Sequence, residues 1–235
     1  MKSRSKSFNI NKPYTPDTLT RWESSPHISF NIMDRLSLNI REVSPSKALI
    51  IINGMKTKIK KDGWEYIPGK NETLDEEQVK WNNRCYCVVD MFGMGLNILQ
   101  DIKYNTDKKY HCFIAYFRSA PVGVLILSYT LSSSESSESS ESSESSESSE
   151  SSESPEIVVL ATHCGLKDGG ILLIEHVVNK SKELNRGGRL IIMPLGDVQQ
   201  VFSNIGFVDM SSGDMELNPA ESHRWKLANN KYRLT

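Results

Sequence analysis

The stretch Ile157-Val158-Val159-Leu160-Ala161-Thr162-His163-Cys164-Gly165-Leu166-Lys167-Asp168-Gly169-Gly170-Ile171-Leu172-Leu173-Ile174 decides how this chain folds. Its first five residues are apolar and read as a strand. Small residues follow through Gly170, and an apolar helical pattern then runs from Ile171 to Val178. Strand, glycine turn and helix start, in that order, make a place to hold a phosphate. The first turn of a helix leaves backbone N–H groups unpaired, and its dipole end is positive. Glycines let the main chain approach an anion closely. The helix is expected to stop at Arg186-Gly187-Gly188, where glycine is the usual punctuation. Arg189 to Met193 then returns as a strand parallel to the first, as a βαβ unit requires. A second helix ends in Phe202-Ser203-Asn204-Ile205-Gly206-Phe207, and Met215-Glu216-Leu217 reads as the last strand.

Working outward, Tyr110–Phe117 and Val122–Thr130 read as two strands joined by a turn at Ser119-Ala120-Pro121. Further upstream the signals weaken. Ile28 to Ile40 alternates in part, and Ala48-Leu49-Ile50-Ile51-Ile52 before the turn pair Asn53-Gly54 reads as another strand. Lys56 to Lys61 is a basic cluster, expected in a solvated loop or edge strand. Thr73-Leu74-Asp75-Glu76 has a capping-box pattern, with a helix following through Trp81 toward Val89. Residues 1–25 are expected to be a disordered basic tail and 26–235 one domain. That domain is interrupted by the Ser-Ser-Glu repeat of 132–154, which holds no apolar residue to offset its ordering entropy.

Net charge is −1, but seven glutamates sit in the repeat, and removing them leaves the rest at +6. A mildly basic folded part suits an anionic cofactor or partner. The balance gives no reason to expect nucleic acid. The four cysteines, Cys85, Cys87, Cys112 and Cys164, lack zinc-ligand spacing and lie in apolar runs. They read as reduced thiols of a cytoplasmic protein, with a leader or transit peptide at 1–16 as the other reading of the basic N-terminus. No apolar run reaches the roughly 18 residues of a membrane span.

The hairpin 110–130, the strand and turn 157–170, the Phe202–Phe207 close and the final Met215-Glu216-Leu217-Asn218-Pro219 together resemble the GNAT superfamily, the GCN5-related N-acetyltransferases, over about residues 110–225. The resemblance implies an α/β fold: a mixed central sheet, antiparallel hairpins at one end, a parallel βαβ cofactor unit, and flanking helices. It implies acetyl-CoA as co-substrate and direct attack of an amine on the thioester, without a covalent enzyme intermediate. The family's pyrophosphate turn, Q/R-x-x-G-x-G/A, falls on Gly165, Leu166, Lys167, Asp168, Gly169 and Gly170. Gly165 replaces the first Gln or Arg, and Asp168 replaces the middle glycine. Leu160 and Thr162 fall where the family's backbone orients the acetyl group. Phe202 stands where relatives often carry a proton-donating Tyr, and Phe has no proton to give. A general base is expected, with His163 at the strand end and Glu156 at its start as candidates. The acceptor, whether small amine, peptide or lysine side chain, is not legible, nor is the oligomeric state.

Two other readings remain open from the residues. Val88-Val89-Asp90-Met91-Phe92-Gly93-Met94-Gly95, with Asn185–Ile192 downstream, also resembles the strand-and-glycine motif of class I S-adenosylmethionine-dependent methyltransferases. The altered turn and Phe202 also suit a fold kept as a protein-interaction module.

Overall fold

The computed structural model describes residues 38–235, apart from 63–64, 70–72, 105–106, 118, 131–152, 165, 167–168 and 196–197. The expected tail at 1–25, the alternation at 28–37 and nearly all of the Ser-Ser-Glu repeat lie outside the described residues.

A seven-stranded mixed sheet is the frame. Its strands are β1 (Leu38–Val43), β2 (Lys108–Phe117), β3 (Ala120–Thr130), β4 (Glu156–Thr162), β5 (Leu190–Ile192), β6 (Val208–Asp209) and β7 (Met215–Leu217). They lie side by side in the order β1-β2-β3-β4-β5-β7-β6. All neighbours are antiparallel except β4 and β5. This is the mixed sheet with one parallel pair that the resemblance implied. Helices α1 (Pro45–Asp62) and α2 (Glu76–Asp101) cover one face. Helix α3 (Gly169–Glu183) covers the other, with α4 (Gln199–Asn204) after β5.

Alternation along the strands feeds two cores. Phe113, Leu125 and Leu127 pack with Leu173, Val177 and Leu190 on the α3 face. Ile114, Val124 and Ile126 pack with Ile52, Trp81 and Phe92 on the α1/α2 face. Because β2 and β3 are covered on both sides, they are near-continuous apolar runs.

Three expectations need correction. Ala48–Ile52 is helical, and both Asn53-Gly54 and the basic cluster Lys56–Lys61 lie inside α1 rather than in a turn and a loop or edge strand. The reason appears only over a longer window. Ala48, Ile52, Met55 and Ile59 are buried while Ile50 is exposed, a stripe of helical period. Ser44 opens the helix, its Oγ accepting from the Lys47 amide at 3.3 Å, with Pro45 at the first helical position. Second, the capping box belongs to Asp75 and Gln78, two residues later than Thr73 and Glu76. The Gln78 amide donates to Asp75 Oδ1 at 2.8 Å, and the Asp75 amide donates back to Gln78 Oε1 at 3.1 Å. The helix it starts runs on to Asp101, so Val88–Gly95 is helix throughout. A methyltransferase motif needs a strand and a turn there, and that reading falls.

Third, Met215–Leu217 is not the last strand. A separate hairpin follows, β8 (Trp225–Ala228) and β9 (Lys231–Leu234). Its Asn229-Asn230 turn holds φ of 49° and 62°, as a tight hairpin of this kind demands. The hairpin docks on α3. Asn179 Oδ1 accepts from the Tyr232 amide at 2.8 Å, and its Nδ2 donates to the Tyr232 carbonyl at 3.0 Å. The buried indole of Trp225 donates to the Ile205 carbonyl at 2.7 Å.

Candidate active site

Strand β4 holds the geometry of interest. It pairs with β5 only at Glu156↔Ile191 and Ile157↔Ile192, then runs on to Thr162 while β5 ends. Beyond Ile157, no strand among the described residues lies beside the β5-facing edge of β4. At the same point the ladder with β3 shifts: Ile126 pairs with Val159 and Leu127 with Ile157, so Val158 is an extra residue. This is a β-bulge, and its effect is visible in the packing. Ile157 belongs to the core under α3, whereas Val158 and Val159 both pack on the α1/α2 side and Leu160 returns to the α3 side. A bulge breaks the alternation and re-aims the backbone. The parting of the parallel strands and the bulge coincide at Val158, two residues earlier than the Leu160–Thr162 segment that the sequence singles out.

At this vertex a row of paired residues crosses the sheet: Ser128, Glu156, Ile191 and Glu216. Directly paired residues share a face, so Glu156 and Glu216 stand on either side of Ile191, about 10 Å apart by strand spacing. Glu156 is partly exposed, with Lys108 Nζ 3.7 Å away. Glu216 is half-buried, and its Oε1 accepts from Ser154 Oγ at 3.2 Å. Glu216 has no place in the sequence reading. Its signal was modest: an acid between two buried apolar residues in a three-residue strand.

The other end of β4 differs. Glu156 and His163 lie roughly 20 Å apart at the rise of an extended chain, so the two candidate bases do not meet. His163 is buried, and its amide donates to the Val122 carbonyl at 2.7 Å. Burial, helped by the charge of Lys58, pushes its pKa down to about 3. The ring is neutral at physiological pH and a weak base. Cys164 turns inward, its Sγ 2.9 Å from Cys85 Sγ, both thiols reduced and buried. The contact with Cys85, then burial, raises the Cys164 pKa strongly. It is not a nucleophile beside His163.

The turn itself is partly described: Gly165, Lys167 and Asp168 lie outside the described residues. Leu166 is a core side chain on the α3 face, and its amide donates to the His163 carbonyl at 2.8 Å. That amide is therefore engaged rather than offered to an anion. Gly169 is buried against Leu166, and a Cβ there would come within 2.2 Å of Leu166 Cδ2. Gly170 is different: a Cβ would meet only Leu160 Cδ2, at 3.9 Å. Of the two glycines, Gly169 is required by packing and Gly170 leaves space at the helix mouth. Thr162 stands beside this mouth, its Cγ2 3.6 Å from the position a Gly169 Cβ would take.

Further along, Phe202 is buried and packs edge-to-face on Phe207, with ring centroids 5.6 Å apart. It is a core residue. Glu175 accepts from Arg233 and from the Leu234 amide, and His176 lies edge-on to Phe113. Both serve packing and hairpin docking. No group of three or more potential metal-ligating side chains occurs among the described residues. No helix among them is long and apolar enough to cross a membrane.

No protein-family model matches the chain, and no curated protein matches it in sequence. Solved structures do. The PaiA N-acetyltransferase of Thermoplasma acidophilum, solved with coenzyme A, is 17% identical over 77% of this chain and 99% of its own, with a TM-score of 0.40. A predicted acetyltransferase of Clostridium acetobutylicum, solved with acetyl-CoA, is 17% identical over 79% of this chain and 99% of its own, with a TM-score of 0.39. An acyl-CoA N-acyltransferase of Pseudomonas aeruginosa is 12% identical over 84% of this chain and 97% of its own, with a TM-score of 0.38.

Proposed function

We propose that this chain transfers an acetyl group from acetyl-CoA to an amine. One observation carries the reading: β4 parts from β5 at a bulge while its own edge continues for five residues toward the start of α3. An exposed strand edge offers main-chain N–H and C=O groups in a row. A thin arm bearing amides can pair with such an edge, and the helix mouth at its end suits the arm's diphosphate.

In this reading the thioester carbonyl lies at the vertex near Val158. The amine nitrogen attacks the carbonyl carbon, the C–S bond breaks, and the thiolate leaves. The proton lost by the attacking nitrogen passes to Glu156, directly or through water. Glu156 suits the base role better than His163. It sits one ladder step from the vertex, and its contact to Lys108 is loose at 3.7 Å. Glu216 on the far side of Ile191 helps draw a cationic amine to the vertex. Phe202 supplies no acid, so the thiolate leaves unprotonated or takes its proton from water.

The test is Gly170→Val. Its Cβ has room in the folded chain, so thermal stability should hold while acetyl-CoA affinity, measured by calorimetry, falls at least ~10-fold. Wild-type protein that binds acetyl-CoA and releases thiol on addition of amines supports the transferase. Undetectable acetyl-CoA binding by the wild type would leave the interaction module in its place.

A further inference from the structure

Away from the parted strands, a cavity of about 210 Å³ lies between α1, α2, the start of β3 and His163. Ile51, Met55 and Ile59 of α1, Phe92 of α2 and Val122 of β3 make its walls. Two nitrogen-bearing side chains, Lys58 and His163, share the space, and the positive charge of Lys58 acts on the His163 ring. None of the described residues that line it is acidic.

The rim carries a further clue. Gly54 lines the cavity from the middle of α1, is exposed, and has no positive φ to require a glycine. A Cβ at this position would meet no atom within 4 Å. Glycine is disfavoured inside a helix, yet any larger residue here would narrow the opening.

Size and charge select the occupant. An apolar cavity of about 150 Å³ takes a benzene ring, so this one has room for a ring with a short tail. The apolar walls favour a hydrocarbon body. Lys58 favours an anion and opposes a cation. The uncharged His163 ring can donate an N–H to a carboxylate oxygen or accept from a neutral group.

We propose that this cavity binds a small carboxylic acid with one aromatic or branched body, the hydrocarbon held by α1 and α2 and the carboxylate directed at Lys58. The site is separate from the acyl-transfer vertex and does not depend on the transferase reading.

Phenylacetate is a suitable probe, titrated calorimetrically into the full chain with and without acetyl-CoA. Saturable one-to-one binding is expected in both conditions. 2-Phenylethylamine, which has the same body and the opposite charge, should bind at least ~10-fold more weakly, and Lys58→Met should weaken phenylacetate by ~10-fold. Gly54→Leu should abolish binding while raising the melting temperature, which separates a filled cavity from an unfolded chain. Equal or tighter binding of the amine, undiminished binding to Gly54→Leu, or no saturable binding at millimolar phenylacetate would each overturn the proposal. Competition between phenylacetate and acetyl-CoA would overturn the separateness of the site.

Discussion

At its first end β4 stands between two strands; at its last end, among the described residues, it has only β3 beside it. The first end is organised by main-chain pairing. Register places Glu156, Ile191 and Glu216 in one row, and a single inserted residue, Val158, turns the backbone where the parallel partner is lost. The last end is organised by side-chain packing. His163, Cys164 and Leu166 are all buried, Leu166 fills the space above Gly169, and the amides of His163 and Leu166 are already hydrogen-bonded. The difference teaches where chemistry can happen on one strand. Partly exposed carboxylates near the vertex can meet a substrate, whereas the buried side chains of His163, Cys164 and Leu166 fix the shape of the chain that leads to α3.

The largest expected effect breaks the comparison at the first end. Glu156→Gln should lower kcat ~100-fold with little change in KM for acetyl-CoA, the usual size for loss of a general base. A variant with wild-type kcat would remove Glu156 from the reaction and leave the vertex without an assigned base.

At the last end the expected effect is on stability. His163 titrates near 6.5 when unfolded and at about 3 when folded, so the unfolded chain binds the extra proton between those values. Its contribution is fully present above about pH 6.5 and is lost as pH falls toward 3. By pH 5 the loss is about 2 kcal/mol. Denaturant unfolding at pH 7 and pH 5 should show this difference in wild type and a much smaller one in His163→Gln. Equal pH dependence in both proteins would mean that the ring is not buried as described.

A smaller effect sharpens the contrast within the turn. Gly169→Ala should cost about 1–2 kcal/mol through overpacking against Leu166. Adding Leu166→Ala should give a double variant more stable than the two single losses predict, because the clash and the side chain that causes it are removed together. Additive losses would show that Gly169 is kept for another reason than this contact.

Much of the C-terminal half was legible because its signals are local. The hairpin of β2 and β3, the βαβ order of β4, α3 and β5, and Met215–Leu217 all follow from short apolar runs and glycine punctuation. In the half before residue 109 the start of α2 was legible, but its length and the helix before it were not. Ile50-Ile51-Ile52 is β-branched and reads as strand in a five-residue window, yet the sheet needs a cover and the 3.6-residue stripe through Met55 and Ile59 supplies it. Val88–Gly95 misled in the same way, because glycines suggest a turn until a long buried stripe from Trp81 to Leu99 shows a helix. The hairpin of β8 and β9 did carry a signal, Asn229-Asn230 between two alternating segments.

Within the candidate site, the sequence by itself determined the residue types and their order: an acid at the start of β4, small residues at its end, and a glycine pair opening α3. Tertiary structure alone decided which of these matter to each other. Register across four strands, set by burial on both faces, joined Glu156 to Glu216. The bulge at Val158 and the seating of Leu166 on Gly169 depend on contacts with β3, β5 and the core. Such contacts link residues far apart along the chain, and no local pattern encodes them.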